Sequence, residues 1–143
     1  MKSKILVFIQ FFIVLLMLLD LSDKTSYPFI GFFFILVGLS VGVSALYKNK
    51  IGTFNIRPDI QEDAKLITDG IYSYIRHPMY TSVLISMFGV LCLNFSILEL
   101  FLYILLLVNM LVKMFYEESL WNKNTNEYKE YSEKTFRLIP FLF

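Results

Sequence analysis

The chain has 143 residues, a formal net charge of +1, one cysteine, and a composition that is 57% hydrophobic and 17% aromatic. Its length suits one domain, while that apolar content exceeds what an ordinary soluble domain of this size carries and points to a membrane protein. The basic residues form no dense cluster, which argues against a nucleic-acid partner, and Cys92, alone in an apolar run, offers neither a disulfide framework nor a metal pattern.

Ile5 to Leu19 is apolar apart from Gln10, about 22 Å of helix at 1.5 Å per residue. Lys2 and Lys4 resemble the start of a signal peptide, but Asp20, Ser22 and Asp23 follow where a small-residue cleavage site would stand. A first transmembrane helix over residues 4–21 is therefore expected. The next uncharged run, Thr25 to Tyr47, has Pro28 near its start and predicts a second span over 27–47. Gly38 and Gly42, in GLSVG, have a spacing that permits close helix approach inside the bundle.

Lys48 to Gly70 changes character abruptly and is longer than most connections in a compact domain, which predicts a functional loop over 48–77. A third uncharged run from Pro78 predicts a span over 78–95. Ser96-Ile97-Leu98-Glu99 then reads as a capping box opening a fourth helix, with its span over 97–116. Continued to Asn122, that helix would reach about 39 Å and project beyond the membrane. The remaining segment, 117–143, contains a polar helical stretch with Tyr128 and Tyr131 on one side, then the apolar tail Arg137 to Phe143, expected at the membrane surface or against the bundle.

Cytoplasmic segments carry an excess of Lys and Arg. With the N-terminus inside, every one of the 13 basic residues except Lys24 falls on the cytoplasmic side. Four spans with both termini cytoplasmic bring the long loop, the turn before Pro78 and the C-terminal segment to one face. The composition, rich in Lys, Asn, Ile and Phe, suggests a prokaryotic plasma membrane.

The stretch Thr68 to Ser82 contains the only histidine, between Arg76 and Pro78. Proline is favoured at the first helical position, and it pushes the preceding residue out of the helical region. A helix beginning at Pro78 leaves backbone N–H groups at its positive end beside Arg76 and His77, a place suited to a carboxylate or phosphate. On the fourth helix, Lys113 and Glu117 lie one turn apart on one face, with Glu118 adjacent.

The pattern G-x-Y-x-x-x-R-H-P-x-Y from Gly70 to Tyr80, a following span, Glu117-Glu118 near the end of the next, Tyr128-x-x-Tyr131 and Pro140 together resemble the isoprenylcysteine carboxyl methyltransferase and phospholipid methyltransferase group. The resemblance covers roughly Gly52 to Pro140, and it implies a membrane enzyme using S-adenosylmethionine. It further implies a cofactor site formed by Ala64, Lys65, Leu66 and Ile67, by Tyr72, by Arg76, His77, Pro78, Met79 and Tyr80, and by the pair Glu117 and Glu118. The carboxylate of such a cofactor suits the helix start, its amine and ribose suit a glutamate, its sulfonium suits tyrosine faces and Glu117, and its adenine suits a slot lined by Leu66, Ile67 and Met79.

Lys113 stands where the family typically carries an arginine that contacts the acceptor, and NKNTN replaces its usual Phe-Gly after the glutamate pair. The resemblance leads to the expectation of an all-α integral-membrane fold with four transmembrane helices, a cytoplasmic cofactor site and a short C-terminal helix. Its activity would be methyl transfer from S-adenosylmethionine to a lipid or other hydrophobic small molecule, with Lys113 on the acceptor side, no metal and no nucleic acid. Two other readings are an NADPH-dependent reductase, because membrane sterol reductases look similar over the same half, and a helical scaffold associating through GLSVG.

Overall fold

The computed structural model describes residues 2–19, 26–49, 66–124 and 126–140. Within them the chain is helical: α1 (Lys2–Leu19), α2 (Pro28–Lys48), a 3-10 turn at Gly70–Ser73, α3 (Pro78–Leu93), α4 (Ile97–Asn124) and the short α5 (Glu127–Lys134). No strand is formed among the described residues, only an isolated parallel bridge between Ile75 and Phe136.

By length and apolarity, α1, α2 and α4 can each cross a membrane; α3, with 16 residues, is a shorter apolar helix. At 1.5 Å per residue it extends about 24 Å, less than the roughly 30 Å hydrocarbon core. Three spans among the described residues thus meet that length criterion, one fewer than the sequence predicts. Much of α1 and α2 faces outward with bare aromatic and aliphatic side chains, Phe8, Phe29, Phe33 and Leu36 among them. Such a surface is suited to lipid.

The most extensive helix pair is α2 with α3, packed antiparallel. Gly38 makes it possible: a Cβ there would lie 2.7 Å from the backbone nitrogen of Ser86 and 2.9 Å from the Ser82 carbonyl. Backbone does not yield as a flexible side chain would, so only glycine fits. Ser82 Oγ donates to the Gly38 carbonyl at 2.7 Å across the same contact. The expected close approach is thus spent inside this chain.

Helix α4 has one face in the core, with Leu102, Leu106, Met110 and Met114 meeting Ile13 and Met17 of α1 and Leu84 of α3. The serine half of the predicted capping box is formed at its start, with the Glu99 N–H donating to Ser96 Oγ at 3.0 Å. Helix α1 packs chiefly on α4 and more thinly on α3. Two of its polar contacts to α4 are side-chain bonds: Asn109 Nδ2 to the Leu6 carbonyl at 3.2 Å, and Lys113 Nζ to Gln10 Oε1 at 2.8 Å.

Candidate functional site

The turn ahead of α3 is set by local chemistry on one side and by distant chain on the other. Gly70 adopts φ +62°, a left-handed conformation that glycine takes without a Cβ penalty, and Lys48 Nζ meets Asp69 beside it at 2.7 Å. That lysine lowers the Asp69 carboxyl below its ordinary value through the hydrogen bond. His77 is the N-cap and Pro78 the first residue of α3.

The remaining restraints come from the chain's far end. Phe136 N–H donates to the Tyr74 carbonyl at 3.0 Å, Arg76 N–H to the Phe136 carbonyl at 2.8 Å, and His77 N–H to the Arg137 carbonyl at 3.0 Å. Thr81 Oγ1 donates to the Leu138 carbonyl at 2.8 Å, and Tyr131 Oη to the Tyr72 carbonyl at 2.6 Å. Residues 136–138 therefore grip the RHP turn through backbone groups that any sequence supplies. This part of the predicted tail lies against the bundle; the tail's residues 141–143 lie outside the described residues.

The two adjacent glutamates point to different surroundings, as positions 100° apart on a helix must. Glu118 is buried among cations. Its Oε1 accepts from Arg76 Nε at 3.1 Å and lies 3.2 Å from His77 Nε2, while Oε2 accepts from Arg137 Nε at 3.1 Å. A carboxylate only accepts, so this contact places a hydrogen on His77 Nε2. Arg76 also donates through Nη1 to the carbonyls of Ser132, at 2.9 Å, and Thr135. Its guanidinium is thereby committed to the C-terminal segment. Behind Glu118 lies a cavity of about 410 Å³ lined by Arg76, Asn122, Tyr128, Ser132, Thr135, Phe136 and Arg137.

Glu117 faces the other way, with 27% of its side chain exposed. Tyr80 Oη donates to its Oε2 at 2.6 Å, and His77 Nδ1 lies 3.9 Å from the same oxygen. Among the described residues Oε1 accepts no hydrogen bond. The His77 and Tyr80 rings stack at 5.2 Å and 6°, so imidazole and phenol present one rigid aromatic wall beside the carboxylate. Burial raises the Tyr72 hydroxyl above the usual phenol range, opposed by a hydrogen bond from Asn49, with the Glu117 charge adding a further upward push. Tyr72 thus remains a neutral donor near that carboxylate.

Of the residues singled out in the sequence, Arg76, His77, Tyr80, Glu117 and Glu118 meet in one network, and Tyr72 lies close enough to sense the Glu117 charge. Pro78 is buried at the helix start; Met79, Leu66 and Ile67 are half-buried, the last two just ahead of the 3-10 turn. Ala64 and Lys65 lie outside the described residues, as does most of the predicted functional loop. Lys113 is 2% exposed, its Nζ on Gln10 and 4.9 Å from the centre of the Tyr80 ring. Arg137 and Gln10 complete the network and were not singled out in the sequence. The available signals were a lone arginine heading an apolar tail and a lone amide in an apolar helix.

A half-open carboxylate beside a rigid aromatic pair and a neutral phenol suit a cationic ligand that also carries polar groups, since a carboxylate attracts cations and a phenol donates. S-adenosylmethionine, with its sulfonium, amine and adenine, fits that set. No curated protein and no solved structure matches the chain. Residues 3–124, however, match the profile of the phospholipid methyltransferase family, a match that takes in α1 to α4 and with them Gln10, the RHP turn, Lys113 and both glutamates. On that match, over most of its length, the chain belongs to the phospholipid methyltransferase family, whose members are membrane methyltransferases.

Proposed function

We propose that the protein transfers a methyl group from S-adenosylmethionine to the headgroup of a membrane lipid, at a site on the cytoplasmic ends of four membrane-crossing helices. The observation that carries this reading is the Tyr80–Glu117 bond beside the stacked His77 ring: it fixes one carboxylate oxygen and leaves the other open toward a cation. The cofactor supplies the methyl group in an activated, sulfonium-bound form. The protein's own contribution is binding and orientation. Glu117 holds positive charge, Tyr72 donates to a polar atom, and Leu66, Ile67 and Met79 give the adenine an apolar lining.

Arg76 acts from behind. Through Glu118 it fixes the imidazole, so the His77–Tyr80 pair beside Glu117 is held in a geometry already set before a ligand arrives. Lys113 lies on the acceptor side, under α1. In the aligned site, positioning and exclusion of water supply most of the acceleration.

The test is equilibrium binding of labelled S-adenosylmethionine to purified protein in detergent and in lipid, with NADPH as competitor. Saturable binding is expected, weakened at least tenfold by Glu117→Gln in protein that unfolds at an unchanged temperature. Binding that survives Glu117→Gln, or that NADPH displaces, would overturn the assignment.

A further inference from the structure

Lys113 is solvated in an unusual way. Its ammonium has three donors and is 2% exposed, yet among the described residues it makes one hydrogen bond, to the neutral amide oxygen of Gln10, and no ion pair. Its other close polar neighbour is the face of Tyr80. Glu117, one turn along α4, is engaged by the Tyr80 hydroxyl instead, and Asn109, one turn back, bonds to the Leu6 carbonyl. Its direct contacts are a neutral amide and a ring, and the charge of Glu117 reaches it only from one turn along the helix, so burying the cation remains costly.

The element that covers it is the one best able to give way. Helix α1 rests chiefly on α4 and turns Phe8, Phe11, Phe12 and Leu15 outward. The flank of α4 beside Lys113 is also bare, with Val112 and Phe115 about half exposed. A ligand reaching Lys113 past α1 would come from the bilayer, so its negative group belongs to a lipid.

We propose that Gln10 is a latch: its amide holds the place of an anionic phosphodiester oxygen, and a lipid acceptor docks by exchanging with it at Lys113. This rests on the methyltransferase reading for its purpose but on Gln10 and Lys113 alone for its geometry. The latch makes α1 a determinant of acceptor specificity. An acceptor carrying a negative oxygen gains an ion pair in place of a neutral amide, and an uncharged lipid has nothing to offer in exchange.

The experiment is equilibrium binding of a fluorescent short-chain phosphatidylethanolamine to detergent-purified protein, without cofactor, against a diacylglycerol bearing the same chains. Gln10→Glu keeps size and supplies Lys113 with a competing carboxylate, so phospholipid binding is expected to weaken at least tenfold at an unfolding temperature no lower than the parent's. Gln10→Met removes the competitor and is expected to bind phospholipid at least as tightly as the parent. In a Lys113→Met background, Gln10→Glu is expected to change nothing further. Parental affinity in Gln10→Glu, equal binding of diacylglycerol, or full displacement by millimolar inorganic phosphate would each overturn the lipid latch. Methyl transfer by the same preparations is read separately: altered lipid binding without any methyl transfer refutes the proposed function and leaves the latch standing.

Discussion

Glu117 and Glu118 have the same side chain and neighbouring positions, yet their surroundings assign them opposite tasks. Glu118 holds Arg76 and His77 together out of water and reaches the more exposed Arg137 with its other oxygen, which makes it a structural carboxylate. Glu118→Ala should leave the buried Arg76 guanidinium without its counter-charge and cost about 3 kcal/mol of stability, read as a lowered unfolding temperature. Glu117→Gln, on the more open side, should leave unfolding unchanged and affect ligand binding. The sequence exposes the pair and its RHP partner but not this division, because the spacing says only that adjacent helical positions face different ways. Which face meets the cations depends on Arg137, whose pairing with Glu118 arises in the folded chain and follows from no local pattern.

Among the elements, those governed by near neighbours were legible. Proline sets the start of α3, a serine hydroxyl caps α4, and the polar run with Tyr128 and Tyr131 forms a short helix with both rings buried. The glycines of α2 were legible as a close contact but not as to partner, since a small-residue spacing fits a second chain as well as a neighbouring helix. The structure spends Gly38 on α3. Gly38→Leu should therefore separate two helices of one chain: an unfolding measurement is expected to show a loss of about 3 kcal/mol, at the upper end of the usual overpacking cost, while the oligomeric state stays the same. Loss of an oligomer with intact folding would instead favour the scaffold reading. The end of α3 was legible to within two residues, since the span expected over 78–95 closes at Leu93 with Asn94 as its C-cap.

At the scale of the molecule, the proposed topology makes α3 a full crossing despite its 16 residues. Pairing with α2 along its length gives it a neighbour long and apolar enough to span, and a short helix is accommodated by local thinning of the bilayer. Cysteine labelling in intact cells checks it, after Cys92→Ser removes the native thiol. Ser26→Cys, between α1 and α2, should react with a membrane-impermeant reagent, whereas Ser73→Cys and Ser132→Cys should react only after the cells are opened. Labelling of Ser132→Cys in intact cells while Ser73→Cys stays protected would remove α3 as a crossing from the proposed topology.

The grip of residues 136–138 on the RHP turn also fixes an order of assembly. Thr81 and Leu138 meet across 57 residues of chain, so a growing polypeptide completes α3 well before the partner that aligns His77 has been made. A chain interrupted after α4 would hold every residue of the family match yet lack the strap that seats its histidine. Such nascent chains would sit in the bilayer without methylating anything, and competence would arrive in one step, late in synthesis, when the strap closes.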